Sequence, residues 1–321
     1  MSTPTLQQAR SHYERQRRIV AAGLTAVRRL FKRNAPLIEV ATMVARYQMA
    51  SATASTQTMA AFAGDTSPLT APTAFAGVSS RGFPITEPIV ATIDRFEPAP
   101  LEPLPDNWWG DAEKFMASVE QLIVSEIQDA GRTASQVEMV TRPEWQNYVR
   151  MLNPPSCARC AILAGRVYRD LDAFDRHPGC DCVMVPVQDW QAAHDRGLIS
   201  TPEMAFDKGQ IGSYYTAKDG SRRWQAGLSQ ADAQAVRDGA DITTVVNAGQ
   251  GISSPRGSTP SITTDLFGHR VKATTYGTTR RAQWRKKNPT RLVRLRPESI
   301  YEFAKDRDDA IRLLKLYGYI T

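Results

Sequence analysis

A chain of 321 residues has length for two domains, or for one with appendages, at roughly 100–200 residues per domain. Hydrophobic residues at 42% against 23% charged exclude a wholly disordered protein, and no apolar run approaches the ~18–20 residues of a membrane-spanning helix, so a soluble protein is expected. Lys+Arg 40 against Asp+Glu 33 give +7, gathered in two patches: residues 1–33 hold eight cations and one acid, residues 270–296 ten cations and no acid.

The first residues lack a short apolar core with a small-residue cleavage site, so a secretory signal is not expected, and the Arg-rich, acid-poor start resembles an organellar presequence only superficially. Leu6, Tyr13, Val20, Leu24, Val27 and Phe31 recur along one face of a helix covering about residues 5–33, with arginines on most of the remainder. Pro36 interrupts; Leu37, Val40, Ala41 and Val44 then begin a second helical pattern that fades into an Ala/Thr/Ser stretch around 50–64. Residues 1–63 thus read as a basic helical module.

Eight of the twenty prolines fall within 64–105, and because proline lacks an amide hydrogen and fixes φ, an extended Pro-rich connector is expected there. Its apolar residues Phe75, Phe83, Ile85, Ile89, Val90, Ile93 and Phe96 predict that it lies against another surface.

Residues 106–248 read as a small α+β core. Trp108 and Trp109 precede an amphipathic helix that turns Phe115, Met116, Val119, Leu122, Ile123 and Ile127 inward and stops at Gly131. Strands follow from Pro143 to Leu152, at Arg166-Val167-Tyr168 and at Val183 to Val187, then short helices from Trp190 to Leu198 and Pro202 to Lys208. Lys218-Asp219-Gly220-Ser221 reads as a hairpin turn; Ser229 with Asp232 caps a helix ending at Gly239, and Asp241 caps another to about Ala248. In the basic tail, 249–321, a Gly/Ser/Pro-rich start is followed by helices opened by Pro297 and closed by Gly318.

All four cysteines, Cys157, Cys160, Cys180 and Cys182, fall close together in sequence, which suits a local metal site better than scattered thiols. Cys157-x2-Cys160 and Cys180-x-Cys182, with His177 three residues earlier, offer five candidates for one tetrahedral Zn²⁺, a borderline-soft ion that keeps thiolates charged in a folded interior. Reduced core thiols with a hydrogen-bonded His177, and disulfides or redox chemistry, are the other readings of the same residues. Whether His177 or both Cys180 and Cys182 complete the shell is open at this level.

Enzymatic patterns fit poorly. His12-Tyr13-Glu14 and Pro155-Ser156-Cys157-Ala158-Arg159-Cys160 imitate the two halves of a zinc deaminase, but the first sits in an Arg-rich helix and the further cysteines would saturate the metal. A metal-dependent nucleic-acid enzyme of the zinc-finger nuclease type is the alternative function; it needs a further histidine, and His194 is the local candidate. His194 and His269 read as surface residues. The cationic patches, Arg15, Arg17, Arg18, Arg28, Arg29, Lys32 and Arg33 at one end and Arg280, Arg281, Arg285, Lys286, Lys287, Arg291 and Arg294 at the other, read either as solvated faces or as contacts with an anionic or acidic partner; without an organised base-reading motif they would suit sequence-neutral contact with double-stranded DNA through phosphate.

The run Cys157-Ala-Arg-Cys160-Ala-Ile-Leu-Ala-Gly165-Arg-Val-Tyr168, followed by Arg176-His177-Pro178-Gly179-Cys180-Asp181-Cys182, resembles the signature of the MuF-like minor capsid (minor head) proteins of tailed bacteriophages, in the version of the actinobacteriophage branch. Val245-Val246-Asn247-Ala248, Thr275 to Arg281, Arg296 to Tyr301 and Leu313 to Tyr319 are similar to the same branch, so the resemblance spans roughly 110–321. It implies a virion protein present in few copies inside the phage head, held at the portal protein among other head proteins, aiding head assembly and DNA packaging or ejection. It implies no catalysis by the core domain; no membrane and no small-molecule substrate are expected, and the host cytoplasm is the expected location during assembly.

Overall fold

The computed structural model describes residues 3–93, 109–174, 176, 177, 180, 182–216, 221–249, 261–264, 270–274, 286, 287 and 294–321. Trp108, Phe96 and the turn residues Lys218, Asp219 and Gly220 lie outside them, as do most of the Gly/Ser/Pro-rich stretch, Thr275 to Arg281 and the Phe115 side chain. The architecture is α+β, and the chain forms two compact units, 1–153 with 166–199 and 154–165 with 200–321. The division falls inside the stretch 106–248.

In the first unit, α1 (Leu6–Lys32) opens with a capping box: Gln8 N–H donates to the Thr5 hydroxyl, and the Gln8 side chain accepts from Thr5 N–H at 2.8 Å. Asn34 takes a left-handed φ of 51°, which a short amide side chain tolerates, and the chain turns into α2 (Leu37–Phe62). With α4 (Trp109–Val140) these helices bury Val20, Val27, Val40, Val44, Val119, Ile123 and Ile127 together. The close fit at Gly23 shows how tightly they approach, since a methyl there would sit 2.7 Å from Ile127 Cδ1.

Two expectations for these helices are corrected. α2 does not fade at residue 50 but runs to Phe62, because its buried face there is made of Ser51, Ala52, Ala54, Ser55, Thr56 and Ala60, small residues that carry almost no hydropathy signal. Gln16 supplies their polar partners: its amide donates to Ser55 Oγ at 2.8 Å and to Ser51 C=O at 3.1 Å, and its carbonyl accepts from Ser51 Oγ. α4 passes straight through Gly131 to Val140; a methyl at that position would collide with the Ser51 hydroxyl and press on Gln16, so this glycine permits close packing and stops nothing.

The connector is only partly extended. It makes a 3₁₀ turn at Pro72–Phe75 and then forms α3 (Thr86–Ile93), where Pro88 sits in the first turn and its missing N–H leaves no intrahelical bond unmade. Ile85 and Ile89 are buried against α1, α2 and α4, so up to Ile93 the covering surface is this chain's own. Backbone amides are held by buried side chains: Gln48 accepts from Gly77 N–H at 2.9 Å and donates to Val78 C=O, Glu126 accepts from Ser80 N–H at 2.7 Å, and Glu138 accepts from Leu69 and Thr70 N–H.

A three-stranded antiparallel sheet completes this unit. β1 (Asn147–Met151) is central between β2 (Val167–Arg169) and β3 (Val183–Val187), with Tyr148 opposite both Tyr168 and Pro186 and Met151 opposite Val183. Val149, Val185 and Val187 face Ala9 and Tyr13 of α1, while Tyr148 and Met184 face Met59, Met139 and Trp145, so both faces of β3 are covered and its unbroken apolar run is explained. α6 (Trp190–Asp195), capped by Asp189, follows.

The second unit contains α5 (Ala158–Leu163), α7 (Pro202–Asp207), the hairpin β4 (Gly212–Thr216) with β5 (Arg222–Ala226), α8 (Gln230–Arg237) and α9 (Ile242–Gly249). Ser229 accepts from Asp232 N–H and Asp241 from Thr244 N–H, the caps expected at α8 and α9. The tail adds an antiparallel sheet in the order β6 (Ser261–Thr264), β7 (Arg270–Thr274), β8 (Arg294–Leu295), which the sequence reading lacked, and then α10 (Pro297–Phe303) and α11 (Arg307–Leu316). Ala235, Val245, Ile300, Leu314 and Tyr319 form its core.

Candidate metal centre

β1 ends at Met151 where its antiparallel partner β3 begins at Val183, so Cys182 immediately precedes that end of the sheet. Cys157 is the N-cap of α5, and its sulfur accepts the Cys160 N–H at 3.3 Å, the local geometry that turns both side chains of a Cys-x2-Cys segment one way. An N–H aimed at sulfur favours the thiolate. Cys160, Cys180 and Cys182 are buried, Cys157 is half-buried, and none of the four is in a disulfide.

The donor atoms of Cys157, Cys160 and His177 lie within 4.8 Å of one another, and so do those of Cys160, Cys180 and Cys182. Tetrahedral Zn²⁺ with Zn–S bonds of about 2.3 Å sets neighbouring sulfurs about 3.8 Å apart, so the spacing and the donor set both fit a metal ion such as zinc. All five residues named from the sequence are thus within these two groups, which share Cys160. Among the described residues no acid belongs to either group.

Two arginines that the sequence reading did not single out hold the Cys180–Cys182 turn. Arg132 of α4 donates to Cys182 C=O at 3.1 Å and to Cys180 C=O, and is oriented by Asp129, which also accepts from Arg176. Arg150 of β1 is only 2% exposed, points Nη1 at Cys180 Sγ at 3.8 Å, and lies over the Phe174 ring at 3.9 Å. A guanidinium beside a thiolate offsets the excess negative charge that several cysteines place around a divalent ion. The signal was available: Arg150 interrupts an apolar strand between Val149 and Met151.

A family model described as VG15 protein matches residues 4–204. The chain belongs to the VG15 protein family. The match includes Cys157, Cys160, His177, Cys180 and Cys182. No curated protein and no solved structure matches the chain.

In this VG15 family member the N-terminal cations Arg15, Arg17, Arg18, Arg28, Arg29, Lys32 and Arg33 are all exposed, on α1 and at its end. Part of that charge is already engaged: Arg28 makes a two-bonded pair with Glu120 of α4 at 2.6 and 2.7 Å, Arg33 pairs with Glu39, and Arg15 bonds Gln57. In the tail, Lys286 and Lys287 are exposed, and Arg280, Arg281, Arg285 and Arg291 lie outside the described residues. Arg294 is a correction. It is 2% exposed, donates to the carbonyls of Tyr317 and Gly318 and covers the Tyr319 ring, so its charge closes the end of α11 and is not available to a polyanion. Of the histidines, His194 is exposed and stacked on Trp190, His269 lies outside the described residues, and His12 is buried.

Proposed function

We propose that this VG15 family member is a MuF-like minor head protein of a tailed bacteriophage, held near the portal inside the head, where it aids head assembly and the packaging or ejection of DNA. The observation that carries the reading is the Cys157-x2-Cys160 and His177-Pro-Gly-Cys180-Asp-Cys182 signature, whose donors gather into two overlapping groups. In this reading zinc is structural and the chain is not an enzyme: with four or five protein donors around one ion, no coordination position is left for a catalytic water. The exposed arginines of α1 supply sequence-neutral contact with duplex phosphate.

Purified particles test the assignment. The chain is expected at a few copies per particle, protected from protease until the head is opened; particles that form and package DNA normally without it overturn the reading. On isolated protein, duplex affinity is expected to fall linearly on a log–log salt plot whatever the base sequence, and replacing Arg17 and Arg18 together with Gln lowers the slope by about 2. Turnover of DNA or RNA by the metal-loaded chain would favour a metal-dependent nucleic-acid enzyme.

A further inference from the structure

A cavity of about 210 Å³ lies within the first unit, walled by α1, α4 and the entry to β3, far more room than one water fills. His12 and Arg17 line it from α1, and Gln128, Arg132 and Ser135 from α4. His12 is only 3% exposed, and neither its Nδ1 nor the Oε1 of Gln128 has a hydrogen-bond partner. Buried polar atoms without partners are costly, and here two of them meet one space.

Arg17 and Arg132 bring positive charge to this space; no Asp or Glu lines it, and Cys182 of the second donor group does. Arg132 is shared with Asp129, which Arg176 also engages, so the group of three keeps a positive balance; Arg17 has no ion pair among the described residues. Burial, and then the charge of Arg15, lowers the His12 pKa to about 4, so the ring is neutral at pH 7 and offers one N–H without bringing a second buried charge. The Gln128 amide presents its NH₂ after a half-turn.

We propose that this cavity binds a phosphate-class oxyanion, with Arg17 supplying charge and His12 and Gln128 supplying hydrogen bonds from the buried wall. Donors that converge from separate helices suit a tetrahedral anion with oxygens in several directions, whereas a planar carboxylate with two oxygens leaves part of the wall unpaired. The inference does not depend on the assignment to phage heads.

The test is titration of inorganic phosphate into the full-length chain, read on the His12 ring signals by NMR. A saturable shift is expected, with affinity reduced about ten-fold in Arg17→Gln, an exposed position whose change leaves folding intact, and with acetate much weaker than phosphate. His12→Phe keeps a ring in the wall and removes both nitrogens; if it folds, phosphate no longer perturbs Arg17, and if it does not fold, Arg17→Gln decides alone. No saturable response to phosphate, unchanged affinity in Arg17→Gln, or acetate binding as tight as phosphate overturns the proposal. A short duplex that displaces phosphate from His12 identifies DNA backbone phosphate as the source; phosphate binding that survives saturating duplex identifies the free anion.

Discussion

His12 and Glu138 show how one buried titratable group in this protein costs stability and another contributes it. His12 has a folded pKa of about 4 against 6.5, so as pH falls the unfolded chain takes up the proton first. Its cost is absent above pH 6.5 and grows towards pH 4, to about 3 kcal/mol over the whole window. Denaturant melts at pH 7 and pH 5 are expected to differ more for the native chain than for His12→Phe. Glu126 works with the opposite sign, since burial raises its carboxyl despite the Ser80 amide, and it cancels in that comparison. At Glu138, burial pushes the carboxyl up but is outweighed by the Leu69 and Thr70 amides and by Arg142, which hold it down. Glu138→Gln removes the buried carboxylate of Arg142, 1% exposed, and leaves it the half-exposed Asp65. A loss of about 3 kcal/mol in urea is expected, with faster protease cleavage around Leu69 and Thr70.

Among the elements, the readable ones announce themselves by apolar period, and the misread ones are built from residues whose role is decided by a neighbour. α1, α6, α7, β1, β3 and the capped helices α8 and α9 were legible because large apolar side chains or Ser/Asp caps mark them. The second half of α2 was not, since Ser51, Ala52 and Ser55 become a packing face only when Gln16 and Gly131 stand opposite. The same holds for the connector: its prolines were visible, but the carboxylates that pin it, Glu126 and Glu138, sit twelve residues apart on α4 and read in isolation as solvent-facing acids. Gly131→Ala separates the two accounts of that glycine. Helix propensity alone predicts a gain of about 1 kcal/mol, whereas the crowding against Ser51 and Gln16 predicts a net loss, seen as a lower thermal midpoint.

Across the whole molecule, the cysteine and histidine donors were legible from spacing alone, while the arginines that support them were not, because Arg132 and Arg150 reach the Cys180–Cys182 turn from residues 30 to 50 positions earlier. Since Cys160 belongs to both donor groups, Cys160→Ser is expected to lower bound zinc and thermal midpoint more than Cys157→Ser, measured by elemental analysis and calorimetry. A chelator should lower the midpoint of the native chain towards that of Cys160→Ser.

The central position of β1 has a consequence for synthesis. Both strands that hydrogen-bond it come later in the chain, β2 from Val167 and β3 up to Val187, and before β2 the chain departs to make α5 in the other unit. A nascent polypeptide therefore emerges from the ribosome with α1 to α4 able to associate and a naked strand bearing Tyr148 and Val149; that strand gains its first neighbour, β2, only after roughly twenty more residues and its second, β3, only after roughly forty. A chain halted in that interval exposes an unpaired strand edge open to pairing with another chain.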